Sequence, residues 1–233
     1  MSNAMRGYKT AAILVVGLGA LLCLVALCRR VSRTPEYRLR PGSDIELRLQ
    51  AVREIYRKPA WRAQLSLPAI IRDPDTRLVY EGLSVIAKRG FVGLVPQVRT
   101  LCAESPDPLV KASALRVLGE LRAPGLGTLA REAMLSPETE LCCAGAFVAA
   151  TAHDKSLMPL LLECARSGPP EARRTALTTL ISLRAEACLP LLVDELDKED
   201  VLDAGSALAG LIKITGKNEG LDRDAWLKAI DQQ

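Results

Sequence analysis

The sequence predicts an all-α protein, in which about six helix pairs stack into a solenoid that follows one N-terminal transmembrane helix. Three observations predict this fold: a pattern of small and apolar residues that returns about every 31 residues, a proline that recurs in the second half of the unit, and an uncharged apolar run of 19 residues near the N-terminus. A single helix pair cannot cover its own apolar face, so several units must stack to form a core.

The N-terminal apolar run, Thr10 to Cys28, would form about 28 Å of helix at about 1.5 Å per residue, close to the thickness of a bilayer core. We therefore predict a transmembrane anchor over residues 5–29. A cleaved signal peptide is the alternative, although Ala26-Leu27-Cys28 is a poor cleavage site. Residues 1–4, which precede Met5, are interpreted as a vector remnant.

Positive charge is concentrated beside this run. Residues 1–40 carry seven basic groups and one acidic group, whereas the remainder carries 24 basic and 26 acidic groups. Most of the N-terminal arginines follow the apolar run, so we predict a single-pass protein with its repeat domain in the cytoplasm. Residues 30–43 are predicted to be a basic tether, whose arginines either contact anionic lipid headgroups or only set the topology.

The first helix of each unit contains three columns of residues in one register. Residues at offsets 0, +1 and +4 lie on one face of an α-helix, so the columns predict a buried stripe. The small residue at offset 0 is expected to let the partner helix of the pair approach closely. The columns are Ala51, Gly82, Ala114, Gly145, Ala176 and Ala207; Val52, Leu83, Leu115, Ala146, Leu177 and Leu208; and Ile55, Ile86, Leu118, Ala149, Leu180 and Leu211.

Proline marks the predicted start of the second helices, where its missing N–H costs little. Between units, Ser105-Pro106 and Ser136-Pro137 predict helix starts in which the serine hydroxyl accepts a first-turn N–H. The helix-opening pairs are Leu67-Pro68, Val95-Pro96, Met158-Pro159 and Leu189-Pro190, with Gly127-Thr128 at the position of the missing copy.

The period, the paired helices and the motif around Ala114, Ala176 and Leu189-Pro190 resemble HEAT repeats of the short bacterial kind first noted in phycobilin lyases. The resemblance covers roughly Asp44 to Ile230 and implies a right-handed α-solenoid over residues 44–233. HEAT repeats usually have an arginine early in the first helix. Its counterparts in three units are Arg77, Lys111 and Arg173, and in two other units it is replaced by Cys142 and Ala204.

The C-terminal end departs from the repeat between Ile214 and Gly220. Gly216-Lys217 is a weak match to a phosphate-binding loop, because the leading glycine is missing and Asn218 stands where Ser or Thr would bind magnesium. We predict a turn into a capping helix, Asp222 to Ile230, in which Trp226 covers the end of the core.

Residues able to do chemistry are sparse in the sequence. The only histidine, His153, is predicted to be an exposed turn residue beside a capping Asp154. The cysteines form no Cys-x-x-Cys pair and are predicted to be buried thiols in a reducing compartment. Without paired carboxylates, a nucleotide loop or clustered metal ligands, the sequence predicts a protein that is not an enzyme and has no cofactor or metal.

The second helices provide the candidate binding residues. Counted from the helix-opening proline, positions +2 and +6 are apolar, position +4 points away from the core, and position +1 lies beside it. Exposed leucines at +1 would anchor a partner helix or extended segment, and acids at +4 would select a basic one. The alternative is a solvated acidic edge with its leucines packed into neighbouring units. The candidate residues are Glu132, Leu160, Glu163, Leu191 and Asp194.

The first functional hypothesis is therefore a membrane-anchored scaffold or adaptor that binds a protein partner. The resemblance to bilin-lyase repeat proteins implies a second, an accessory protein that handles a tetrapyrrole cofactor or modifies a protein. DNA binding, as in alkylation-repair repeat proteins, would require a basic inner face with aromatic residues. The second helices are expected to form the inner face, and their +4 column is acidic, so we expect no nucleic-acid partner.

Overall fold

A computed structural model describes residues 34–40, 42–152, 154–198 and 201–231, in which all regular structure is helical. The all-α prediction is confirmed for these residues. The helices are α1 Pro35–Arg38, α2 Ile45–Tyr56, α3 Ala60–Ile70, α4 Thr76–Arg89, α5 Val95–Glu104, α6 Pro108–Glu120, α7 Gly127–Met134, α8 Thr139–Ala152, α9 Met158–Ser167, α10 Pro170–Ser182, α11 Leu189–Lys198, α12 Ala204–Thr215 and α13 Arg223–Asp231. One-turn 3₁₀ helices precede α5, α9 and α11 at Val92–Leu94, Lys155–Leu157 and Glu186–Cys188.

None of these described helices combines the length and the hydropathy that crossing a bilayer requires. The predicted transmembrane segment, Thr10 to Cys28, lies outside the described residues, as do the first part of the tether and His153.

The chain divides into two compact units between Ile70 and Ile71. The first unit contains α1 to α3 and the second contains α4 to α13. The array predicted over residues 44–233 is therefore divided after its first helix pair.

In the first unit, Asp44 caps α2, because its carboxylate accepts the backbone N–H of Glu46 at 2.8 Å. Leu67-Pro68 was expected to open the second helix, and this prediction is wrong. The carbonyl of Pro59 accepts the N–H of Ala63 at 3.1 Å, so α3 begins at Ala60 and Pro68 falls in its last turn. Leu67 is buried, so in this unit the leucine of the Leu-Pro motif packs in the core and does not mark a helix start.

In the second unit, the helix starts expected at the later prolines are confirmed: α5, α9 and α11 each have proline at their second residue, and α7 begins at Gly127. The expected serine caps are wrong. Asp107 caps α6 and accepts the N–H of Leu109 at 2.9 Å. The Ser105 and Ser136 hydroxyls accept the N–H groups two residues later, so each forms a turn that leads into the helix.

The repeat columns form the core. Every described member of the three columns is buried, except Leu208, which is half-buried. The small residue at offset 0, however, does not serve the predicted approach of its partner helix at Gly145. A Cβ on Gly145 would stand 2.7 Å from the Ala130 carbonyl oxygen and the Met134 nitrogen. Both atoms belong to α7, the second helix of the preceding pair, so at Gly145 the missing side chain admits the previous unit rather than the partner helix of the same pair.

The helices of the second unit stack in chain order. The first helices α4, α6, α8, α10 and α12 each contact the next one along the chain. Each second helix, from α5 to α11, packs against the first helix of the following pair. Buried columns that recur at a fixed interval thus cover one another between neighbouring pairs, as in repeat proteins.

One expected member of the arginine column, Arg77, lies outside it. Arg77 lies in the first turn of α4 and binds the Asp75 carboxylate at 2.8 Å, so it is a surface residue. The residue three positions before the small column in this unit is the buried Val79, and in the preceding unit it is the buried Arg48 of α2. The same position holds Lys111, Cys142 and Arg173 in later units.

The C-terminal prediction is confirmed. Gly216 ends α12 with φ +74°, and the Lys217 ammonium donates to the Ala229 carbonyl at 3.1 Å, so these residues form a turn onto α13. Trp226 is 0% exposed, and its indole N–H donates to the Gly220 carbonyl at 2.9 Å. The capping helix α13 packs against α11.

A buried carboxylate fixes the connection between the last two repeats. Glu195 in α11 accepts the N–H groups of Val201 and Leu202 at 2.8 and 3.0 Å, and Arg173 stands 3.9 Å from its other oxygen. We expect Glu195→Ala to lower the free energy of unfolding by about 2–4 kcal/mol, because two buried donors and one cation lose their acceptor. Urea unfolding measures this loss. The exposed Glu163→Ala is the control, and equal values for the two variants would contradict the assigned role.

Candidate partner-binding face

The second-helix face consists of positions +1 and +4 of α5, α7, α9 and α11. The orientation predicted for these helices is confirmed, because positions +2 and +6 are buried: Val98, Cys102, Leu161, Ala165, Leu192 and Leu196. Position +4 therefore points outward. Glu132 and Glu163 are exposed there, and Asp194 is half-exposed. The three carboxylates recur every 31 residues.

The leucines at position +1 differ from the expected exposed row. Leu129, Leu160 and Leu191 are all half-buried. For Leu129 the surroundings explain this, because it forms part of the wall of a cleft. Part of each half-buried leucine side chain is accessible to solvent. These leucines can therefore contact the surface of a partner, but they do not extend into a pocket of that partner.

The cleft beside Glu132 has a volume of about 340 Å³. Leu115, Leu129 and Leu141 supply apolar walls, and Lys111 and Glu132 are its charged side chains. The volume is at the lower end of the range for small-molecule pockets and suits one or two side chains of a partner. The second-helix face therefore combines an apolar recess with one carboxylate, Glu132, and one ammonium group, Lys111.

The Cys102 thiol lies at this cleft and is buried. Burial raises the pKa of the Cys102 thiol above its ordinary value, because a thiolate there would be poorly solvated. The thiol is 3.7 Å from the Lys111 carbonyl oxygen. We therefore assign Cys102 to packing, since a neutral thiol is a weak nucleophile.

The other two carboxylates are engaged to different degrees. Glu163 accepts the Ser167 hydroxyl at 3.0 Å and remains exposed on α9. Asp194 instead accepts Arg223 of the capping helix at 2.7 Å and lies 3.6 Å from the Lys198 ammonium. The charge of Asp194 is thus matched within the chain, and the acidic part of the face centres on Glu132 and Glu163.

The two helices of the fourth complete repeat, α8 and α9, hold a pair of buried thiols. The sulfurs of Cys142 and Cys164 are 3.5 Å apart. Hydrogen bonding from Cys164 lowers the pKa of Cys142 to about 7, while the same contact and burial raise the pKa of Cys164. The equivalent positions 31 residues later hold Arg173 and Glu195, so two thiols replace an ion pair in the same structural position.

The prediction of buried thiols is confirmed for the five cysteines in the described ranges, which are free and buried. Cys23 and Cys28 lie outside those ranges. Within them, no cluster of three or more His, Cys, Asp or Glu side chains is arranged to hold a metal ion.

A cleft of about 580 Å³ lies between the first helices α10 and α12. Two of its charged side chains bind groups of the chain itself. Arg174 donates to the Val201 carbonyl at 3.0 Å, and Asp203 caps α12 by accepting the Ser206 N–H at 2.8 Å. These contacts fix the connection that precedes α12 and the first turn of that helix.

No family model matches this chain, and the search of the curated proteins gives no match.

Proposed function

We propose that this chain is a membrane-anchored scaffold, a right-handed α-solenoid of HEAT-like repeats, that binds a protein partner with a basic segment. The observation that carries the proposal is the pair of exposed carboxylates, Glu132 and Glu163, 31 residues apart on consecutive second helices. The contact of α7 with α9 places these helices side by side. The proposal includes no catalytic role.

The solenoid part of the proposal is supported by the order of the helix contacts. First helices contact one another in sequence, and each second helix packs on the next first helix. Such stacking leaves the outward positions of the second helices on one continuous side, which is the usual binding surface of repeat proteins. The anchor is assigned to the apolar run Thr10 to Cys28, with the repeats on the cytoplasmic side.

The chemistry of the face defines the partner class. The cleft walls of Leu115, Leu129 and Leu141 would accept an aliphatic or aromatic side chain, and Glu132 at the same cleft would bind Lys or Arg. A helix or an extended segment with alternating apolar and basic residues combines both features. Glu163, on the next second helix, would bind a further basic residue of the same partner segment.

The test is charge reversal of the two exposed carboxylates. We expect Glu132→Lys with Glu163→Lys to reduce capture of the principal crosslinked partner roughly 10-fold, because attraction to a basic segment becomes repulsion. The measurement is quantitative crosslinking and mass spectrometry on intact membranes.

The matched control is Glu140→Lys with Glu171→Lys, two exposed carboxylates at a cleft between first helices. This pair changes the net charge by the same amount and should leave capture unchanged. Unchanged capture after reversal of Glu132 and Glu163, in a variant that unfolds like the original chain, would exclude the second-helix face as the binding site.

A further inference from the structure

Helix α3 of the first unit has two apolar sides. Ala63, Leu67 and Ile70 are buried on one of them. On the outer side, Trp61 is 65% exposed and Leu65 is 74% exposed. Residues four apart are neighbours on a helix surface, so these two side chains form one apolar strip.

The strip lies in a positively charged segment. Residues 55–70 contain three basic residues and no acidic residue. Arg57 lies just before α3 and Arg62 lies within it, and both are exposed. Exposed tryptophan and leucine beside arginine are residues that helices in the bilayer interface use, where the indole sits at headgroup level.

The position of α3 in the chain favours a lipid surface over a soluble partner. Residues 30–43 would span about 50 Å if fully extended, at roughly 3.3–3.6 Å per residue, and this is an upper limit, because Pro35–Arg38 form helix α1 of the first unit. The first unit therefore stays within that distance of the bilayer if the run Thr10 to Cys28 is the anchor. This step rests on the membrane anchor of the proposed function.

We propose that α3 is an interfacial helix that docks the first unit onto an anionic lipid surface. Trp61 and Leu65 enter the boundary between headgroups and acyl chains, while Arg57 and Arg62 lie at the level of the lipid phosphates. A second attachment beyond the transmembrane helix restricts the motion of the first unit relative to the membrane.

The two tryptophans of the chain allow a direct test, because Trp61 is 65% exposed whereas Trp226 is 0% exposed. The full chain is reconstituted into vesicles of phosphatidylcholine and phosphatidylglycerol, with or without brominated acyl chains. We expect Trp61 to lose roughly half of its emission in brominated vesicles, because an indole in the interface lies within reach of the bromines. Trp61→Phe should remove this quenching and leave only the emission of Trp226.

A matched pair of substitutions tests the strip itself. Leu65→Asp should reduce the bromine quenching of Trp61, since it places a charge in the inserted face. Leu135→Asp changes a leucine that is 67% exposed in the second unit, and should leave the quenching unchanged. Equal effects of the two variants would overturn the proposal.

The remaining outcomes separate this inference from the anchor. Flotation with the vesicles but no bromine quenching, together with full access of iodide to Trp61, would overturn the docking of α3 and leave the anchor intact. Failure to float would overturn both. Protection of Trp61 from bromine and iodide alike, increasing with protein density, would replace lipid with a second copy of the chain. Equal quenching in vesicles of phosphatidylcholine alone would overturn the assignment to anionic lipid.

Discussion

Trp226→Ala is expected to lower the free energy of unfolding by about 3–5 kcal/mol, the range for removing a fully buried large aromatic side chain. Trp226 is 0% exposed and lies in α13, which packs against α11 at the C-terminal end of the repeats. Its loss would leave a cavity there and would also remove the indole hydrogen bond to the Gly220 carbonyl. Repeat arrays depend on such end caps, because the last core layer is otherwise exposed to water.

Equilibrium unfolding in urea, followed by circular dichroism, measures this effect. Trp226→Phe is the informative comparison, because it keeps most of the apolar volume and removes only the indole N–H. We expect this variant to lose less stability than Trp226→Ala. A loss below about 1 kcal/mol for Trp226→Ala would show that α13 does not close the core.

Leu180→Ala is expected to cost about 2–5 kcal/mol, the range for truncation of a fully buried leucine. Leu180 is 0% exposed and belongs to the +4 column of the repeat. Its helix, α10, contacts α8, α9 and α12, so the cavity would lie where consecutive pairs meet.

The control for this substitution is Leu183→Ala, at the residue that follows the same helix. Leu183 is exposed, and we expect its truncation to change the stability by no more than about 0.5 kcal/mol. The same urea experiment compares the two variants. Similar losses at both positions would mean that the repeat columns do not identify the core.

The columns could be predicted from the sequence because burial in a repeat is set by helix periodicity and by a constant interval. Ala176, Leu177 and Leu180 needed only their offsets of 0, +1 and +4 to be placed on the buried face. Trp226 could be placed for a similar reason, since a large apolar residue after the last repeat has one exposed core layer to cover. Each of these predictions is confirmed by the burial of the side chain.

Local competition between helix starts could not be resolved from the sequence. The pair Leu67-Pro68 matches the motif of the later units. The helix nevertheless begins earlier, because the Pro59 carbonyl accepts the Ala63 N–H as its first helical hydrogen bond. Likewise Ser105 and Asp107 are both good caps, and the structure uses Asp107 for the helix and Ser105 for the preceding turn. Each motif was identified correctly, but its position relative to the helix depends on which acceptor the first N–H groups reach.

The candidate site was predictable in its orientation but not in its neighbours. The outward direction of Glu132 and Glu163 follows from the burial of positions +2 and +6. The pairing of Asp194 with Arg223 joins residues 29 apart, and Arg223 lies on the capping helix α13 outside the repeat, so no repeated signal indicates it. The cleft beside Glu132 also depends on how closely α5 and α7 approach, which periodicity alone does not specify.

Site-specific photocrosslinking in intact membranes tests most directly whether the second-helix face binds a protein. A photoreactive residue replaces Thr100, exposed on α5, or Thr178, exposed on the first helix α10. We expect a protein adduct from position 100 that disappears when Glu132 and Glu163 are changed to lysine, and no comparable adduct from position 178. An adduct from position 178 alone, or one from position 100 that survives the charge reversal, would contradict the proposed binding face.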